Sequence, residues 1–426
     1  MMILRLAFLS VVRRPARHFL LVLLLAAACA LPVFLLQMTA GLYSGLNRAV
    51  EPFPILMGAK GSPYQLVINT IFLRDHPIGN IRYADAEAVR ESGKADLVIP
   101  LAFGDNYRGF RIVGTEREIF DYRPKKNQGP WLSVAEGTEF SKPGDAVIGS
   151  ETAKRTGLTV GSTFKGIHGL TAGAGSEHPS EYRVAGILKP VGGPYDTAIL
   201  ISIEDVWKAH RHEAGGAVRR GGLVRRNAAA AAPAAETGKA EASAPEGKGD
   251  VTAVLVHPAG YREAMQLLQE SQRAKGTDSQ LIFPAQTLIS LYSMVGQSRE
   301  FWVCLTGGLI GAAVLITLLA MYWNGLSRLS EFALLQALGA GNRAVLKLLA
   351  AEQAVLLLIG AGAGWLIGWG GSVLAAGAVE GRAAVAMSTV PEWTSFLPPL
   401  AIVVLGMAAG LIPARLLRKK DISSLL

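Results

Sequence analysis

Charged side chains are absent from four long stretches of the chain and ordinary elsewhere. The first stretch holds no charge from Phe19 to Asn47 and is almost pure Leu and Val over Leu20–Leu25. Crossing roughly 30 Å of hydrocarbon takes about 20 apolar residues, so this run predicts a transmembrane helix over 19–41. A cleaved leader has a shorter apolar region ending at small residues. Ala26–Ala30 mimics such an end, but apolar character continues through Pro32–Leu36, which favours an uncleaved helix. A second run lies between Glu300 and Arg328 and predicts a helix over 301–323. Its ends carry Trp302, Tyr322 and Trp323, aromatic rings that favour the membrane interface. Third and fourth runs predict helices over 348–370 and 394–414.

The 42–300 segment between the first two runs reads differently. Short apolar runs recur at Gln65–Ile68, Leu97–Phe103, Phe110–Val113, Ala146–Ile148, Tyr182–Leu188, Ala198–Ile201, Val251–Val256 and Gln280–Phe283, punctuated by Gly, Pro and Asp as strands are. The Gly58–Asn69 stretch reads as a turn and a first strand. Helical patterns occupy Ala84–Glu91, Glu151–Thr156, Ile203–His210 and Tyr261–Lys275. The fold class expected is a membrane protein with four transmembrane helices, one followed by three, and a large α+β domain inserted between helices 1 and 2. Residues 214–250 contain no aromatic side chain and only scattered Val and Leu, a composition that predicts a disordered insertion.

Charge fixes the orientation. The net charge of +9 would suit a nucleic-acid binder, but the bases cluster beside the apolar runs. Arg5, Arg13, Arg14 and Arg17 precede the first; Arg328, Arg343 and Lys347 lie between the second and third; Arg415, Arg418, Lys419 and Lys420 follow the fourth. Basic flanks stay on the cytoplasmic side. That predicts a cytoplasmic N-terminus (1–18), connection (324–347) and tail (415–426), with 42–300 and a short loop at 371–393 outside. Partners are then membrane lipid and protein, with no nucleic acid.

The remaining chemistry is sparse. Cys29 and Cys304 both fall inside apolar runs, so no disulfide framework is available to the soluble part. His76, His168, His178, His210, His212 and His257 show no spacing typical of a zinc site and read as solvated surface histidines. No G-x-x-x-x-G-K-[ST] phosphate loop, nucleophile elbow or H-E-x-x-H occurs. The expectation is a chain that is not an enzyme, with no cofactor or metal of its own. Glu352, the only acid close to a span, reads as facing headgroups. Gly364/Gly368 and Gly406/Gly410 have the spacing that lets helix backbones approach closely in lipid. Leu329, Phe332, Leu335 and Leu338 recur at helical spacing with Glu331 beside them, and Gly339-Ala-Gly ends the pattern. This reads as a short amphipathic helix with an acidic anchor, suited to a groove in a partner.

This order of features resembles the FtsX/MacB/LolC-type permeases of ABC transporters over nearly the whole chain. Arg328-Leu-Ser-Glu331-Phe-Ala-Leu-Leu-Gln-Ala337-Leu-Gly339-Ala-Gly-Asn-Arg343 is similar to the family's cytoplasmic "R…E.A.LRALGA…R" segment, and Pro413-Ala-Arg415 to its terminal "P…A.R" element. GDAVIGSETAKRTGLTVGSTF (144–164) and EYRVAGILKPVGGPYDTAILISIEDV (181–206) are similar to two consecutive elements of its extracytoplasmic domain. Gln336 stands where the family usually has Arg, and the tail lacks the common proline-rich ending. The resemblance implies a bacterial inner-membrane permease, a homodimer or a dimer with a paralogue, acting with separate cytoplasmic ABC ATPases that use the ATP. A periplasmic or lipoprotein partner is implied as well. Arg328, Glu331, Phe332, Leu335, Ala337, Leu338 and Gly339 would couple to the ATPase, which drives export, extraction or mechanotransmission. The alternative is a membrane-anchored sensor or scaffold uncoupled from an ATPase.

Overall fold

The structure, a computed structural model, describes residues 15–169, 177–210, 249–274, 276–294, 296–327, 334, 339, 341–383 and 386–410. The chain divides into two compact units. One comprises Met1–Gly45, Ser293–Arg382 and Ala386–Leu426; the other comprises Leu46–Tyr292 with Ala383–Val385.

The second unit is built on strands β1 (Ile55–Ala59), β2 (Ile81–Arg82), β3 (Ala95–Tyr107), β4 (Phe110–Thr115), β5 (Val134–Gly137), β6 (Asp145–Ile148), β7 (Thr163–His168), β8 (Glu177–Leu188), β9 (Ile199–Ser202), β10 (Asp250–Val251), β11 (Ala253–Pro258) and β12 (Ser279–Ile282). Nine of them run in the order β12-β1-β11-β3-β4-β9-β6-β8-β5, and β7 joins the same sheet by pairing with both β3 and β8. The strands β3-β4-β9-β6-β8-β7 therefore close into a ring. β2 and β10 pair separately. The β4–β9 and β6–β8 pairs are parallel and the rest antiparallel.

Both faces of this sheet are buried. Leu56, Val113, Val147, Leu200 and Leu255 belong to one apolar core. Their chain neighbours Ile55, Met57, Ile112, Ala146, Ile148, Ile199, Ile201, Val254 and Val256 belong to the other. Strands covered on both sides read as continuous apolar runs rather than alternating ones, which is why these segments are unbroken Val, Ile and Leu. Helices form at Tyr83–Glu91, Ser150–Thr156, 203–210 and Tyr261–Arg273, where helical patterns were expected. Ala86, Val89, Ala264 and Leu267 from two of them complete the second core.

One expectation is corrected. The segment Gln65–Ile68 is not a strand but lies within the helix Pro63–Thr70, and the first strand, β1, precedes it. Ser62 accepts a hydrogen bond from the Gln65 amide at 3.3 Å and Pro63 occupies the first helical turn. A capping hydroxyl followed by a preset φ commits the segment to helix. Residues 211–248, most of the expected insertion, lie outside the described residues. Its last two residues do not belong to an insertion. Trp207 donates its indole N–H to the Asp250 carbonyl at 3.0 Å, and Gly249 packs against the Trp207 ring.

Asp196 explains why the 181–206 stretch carries a Gly-Gly-Pro-Tyr-Asp turn. Its carboxylate accepts from the backbone amides of Val191 and Gly192 at 2.8 Å each and Gly193 at 3.2 Å, and from the Ser150 hydroxyl at 3.2 Å. Charge-assisted bonds of this kind fix a turn that bare backbone would leave open.

The first unit is helical. Among the described residues three helices are long and apolar enough to cross a membrane: His18–Val50, Cys304–Asn324 and Arg343–Val379. They are parts of the helices Pro15–Val50, Gly296–Leu326 and Asn342–Ala383. A shorter apolar helix covers Trp393–Ala409. Leu25, Cys29, Val33, Ala313, Met321, Leu357, Ala361 and Ile402 form its buried core. Leu20, Leu23, Leu319, Leu358, Leu366, Leu374 and Val404 point outward and are exposed, the surface expected of helices solvated by lipid. Cys29 packs inside, its thiol 3.6 Å from the Ala361 carbonyl, whereas Cys304 is exposed.

Candidate functional site

The helices of the first unit meet where side chains are smallest. A Cβ added at Gly364 would lie 2.6 Å from the Ala26 carbonyl oxygen, and one at Gly368 would lie 2.5 Å from that of Ala30. Backbone against backbone at this distance leaves no room for any side chain, so dispersion contacts run the length of the pair. Gly406 packs against Leu357 and Thr317, while Gly410 is the last residue of the helix Leu397–Gly410.

Two titratable groups meet inside this unit. His18 and Glu352 are both buried, 3.3 Å apart. The reading of Glu352 as facing headgroups is therefore corrected, since a buried acid near the end of a span needs a partner and finds an imidazole. At another point of the bundle the aromatic side chains Trp365, Trp369 and Phe396 stack. Trp365 lies with its centroid 5.9 Å from Trp369 and 5.0 Å from Phe396. Trp365 donates to the Ser395 hydroxyl at 3.3 Å and Trp369 to the Thr389 carbonyl at 3.0 Å. Gln37 accepts from the Glu392 amide at 3.2 Å. The 386–396 connection is thus pinned to two helices by groups that keep one polar atom each, as interfacial aromatics do.

Of the expected coupling residues, Arg328, Glu331, Phe332, Leu335, Ala337 and Leu338 lie outside the described residues. Gly339 is described, with a φ of 91°, a left-handed conformation that stops a helix. Leu334 is helical; the helix Gly296–Leu326 ends with Ser327 donating to the Trp323 carbonyl, and the helix Asn342–Ala383 begins with Val345 donating to the Gly341 carbonyl.

In the strand-built unit the histidines are not all scattered. His168, at the end of β7, and His210, at the end of the 203–210 helix, both approach Asp105 of β3. Sequence spacing carries no sign of this, because the three residues meet only once β7 has closed the ring.

Two family models match the chain. The MacB-like periplasmic core domain matches residues 23–245 and the FtsX-like permease C-terminal domain matches residues 303–422. Among solved structures, the periplasmic region of MacB from Actinobacillus actinomycetemcomitans is similar at 11% identity, over 57% of this chain and 95% of that one, with a TM-score of 0.34. The extracellular domain of the noncanonic ABC-type transporter YknZ from Gram-positive bacteria is similar at 14% identity, over 54% and 98%, with a TM-score of 0.30. A comparison with curated proteins finds no match. With one family domain spanning more than half its length and the companion domain following, the chain belongs to the FtsX/MacB-type family of ABC transporter permeases.

Proposed function

We propose that this chain is the transmembrane subunit that carries ATP-driven motion from separate cytoplasmic ATPases to its own extracytoplasmic domain. It sits in the bacterial inner membrane with four spans, one followed by three, and acts as a dimer with itself or a paralogue. The observation that carries this reading is the pairing of both family domains in a sequence without a phosphate loop. Nucleotide chemistry then belongs to a partner, and this chain contributes the moving parts.

A nucleotide can favour one arrangement of the spans only through contacts that differ between states. Residues 327–339 are the proposed contact. An apolar ridge of Leu329, Phe332, Leu335 and Leu338 seats in a groove of the ATPase, Arg328 and Glu331 set its register, Ala337 allows close approach, and Gly339 turns the chain back. Glu331→Lys combined with Leu335→Asp should leave membrane insertion intact, abolish co-purification with the ATPase and remove its stimulated hydrolysis. A double variant that still held and stimulated the ATPase would refute the assignment.

A further inference from the structure

We propose that Asp105, His168 and His210 form a site for one divalent transition-metal ion, of the zinc class, on the extracytoplasmic domain. The His168 Nδ1 lies 3.2 Å from one Asp105 carboxylate oxygen and the His210 Nε2 lies 3.8 Å from the other. The two imidazole centroids are 5.1 Å apart with planes inclined at 60°. One donor atom from each residue can be chosen so that all lie within 4.8 Å of one another. An ion with bonds of about 2.0–2.2 Å to nitrogen and oxygen holds tetrahedral ligands roughly 3.3–3.6 Å apart. Small rotations of two imidazoles close the remaining difference.

The backbone holds these donors in place. Asp105 sits where the β3–β4 register shifts, a bulge that re-aims a side chain. β7 meets β3 over only two residue pairs, and one of them sets His168 directly opposite Asp105. Side chain and backbone reinforce that short seam: Asn106 donates to the Gly169 carbonyl at 2.8 Å, and the Gly169 amide donates to the Gly104 carbonyl at 2.9 Å. His210 reaches the carboxylate across Gly104, where a Cβ would lie 3.0 Å from its Nε2. The helix that carries His210 is anchored by Ile203, Val206 and Trp207 in the domain core.

The donor set selects the ion. Two imidazole nitrogens and one carboxylate suit zinc, iron, nickel or copper, whereas calcium and magnesium prefer all-oxygen sites. The carboxylate is buried, at 2% exposure, and the imidazoles are 43% and 35% exposed, so an ion can enter from the solvent side. Three protein donors leave a coordination position for water or an incoming ligand. A simple imidazole–carboxylate hydrogen bond accounts for His168 alone. It leaves unexplained why a second imidazole from a different element converges on the other oxygen.

The test uses the purified full-length chain, stripped with chelator and titrated with Zn²⁺ alone. The expected result is one equivalent bound per chain, with His168→Gln and His210→Gln each weakening binding more than about tenfold. His76→Gln should change nothing. Both ligand positions are partly exposed, so these variants keep their fold, and Co²⁺ substitution reports ligation directly through visible d–d bands that each variant alters. A wild-type chain that takes up no zinc, or a His168→Gln/His210→Gln variant that binds it as wild type does, overturns the proposal. Neither outcome depends on ATPase coupling, so failure here is distinct from failure of the transport reading.

Discussion

Within the helical unit, Nε2 of His18 lies 3.3 Å from Oε1 of Glu352, with neither side chain more than 3% exposed. Removing one partner of a buried pair leaves the other charged or polar group without compensation, at a cost of roughly 3–5 kcal/mol. Glu352→Ala should therefore lower the thermal midpoint of the detergent-solubilised chain. Replacing both groups, His18→Leu with Glu352→Met, should restore part of that loss, because neither member of the pair is then left buried without the other. Equal midpoints for wild type and Glu352→Ala would show that the pair carries no stability.

The close helix pair offers a test with internal controls. Gly364→Val and Gly368→Val place atoms where the Ala26 and Ala30 carbonyls stand, and each should cost about 1–3 kcal/mol or more. Gly362→Ala and Gly370→Ala meet no atom within 4 Å and should be neutral or stabilising by up to about 1 kcal/mol. Thermal midpoints of the four variants check the contrast, which vanishes if the helices do not pack this way.

Orientation can be read with single thiols in a Cys29→Ala/Cys304→Ala background. Gly129→Cys and Val390→Cys should react with an impermeant reagent in intact spheroplasts, and Gly341→Cys should react only after lysis. All three positions are exposed, so a failure to label reports sidedness rather than burial. Labelling of Gly341→Cys in intact cells would invert the topology.

His257 makes the extracytoplasmic domain sensitive to acid. Burial pushes its imidazole below the ordinary value; Asp96 opposes this and Lys126 adds to it. A depressed folded pKa means that the stabilising contribution is complete above the unfolded value of about 6.5 and is lost as pH falls through the folded value. Thermal midpoints should accordingly drop between pH 8 and pH 5, and His257→Gln should shrink that drop. An unchanged pH profile in the variant would remove His257 as the source.

Much of this architecture is legible in the residues. The long uncharged runs mark the helices because lipid admits little else. Strands such as Ile199–Ser202 show as continuous apolar segments because both faces are covered. Within Pro63–Thr70, Leu66, Val67 and Ile68 satisfy a strand pattern, although Ser62-Pro63 in front of them is a helix start. Glu352 reads as facing headgroups in the sequence because periodicity says nothing about which neighbour a helix face will meet. The convergence of Asp105, His168 and His210 was invisible for a stronger reason: it depends on β7 pairing with two strands far from it in the chain.

Trp207 bridges the two ends of the 211–248 stretch, so the domain is closed there whatever the length between. Replacing 214–248 with a short Gly/Ser linker should leave the unfolding free energy of the chain within about 1 kcal/mol, since loop-closure entropy changes slowly with length. A protease-sensitive product would show that the stretch contributes packing.

The ring closed by β7 also decides what the sheet offers to its surroundings. An unpaired strand edge is a template for another chain, and a protein whose copies share a confined envelope compartment meets such templates constantly. Among the described residues the large sheet ends at β12 and β5, four residues apiece. β5 is interrupted by a register shift and ends at Gly137, whose φ of 79° turns the backbone out of strand geometry. Neither end presents a long flat row of donors and acceptors, so the domain can press against its neighbours without being knitted to them.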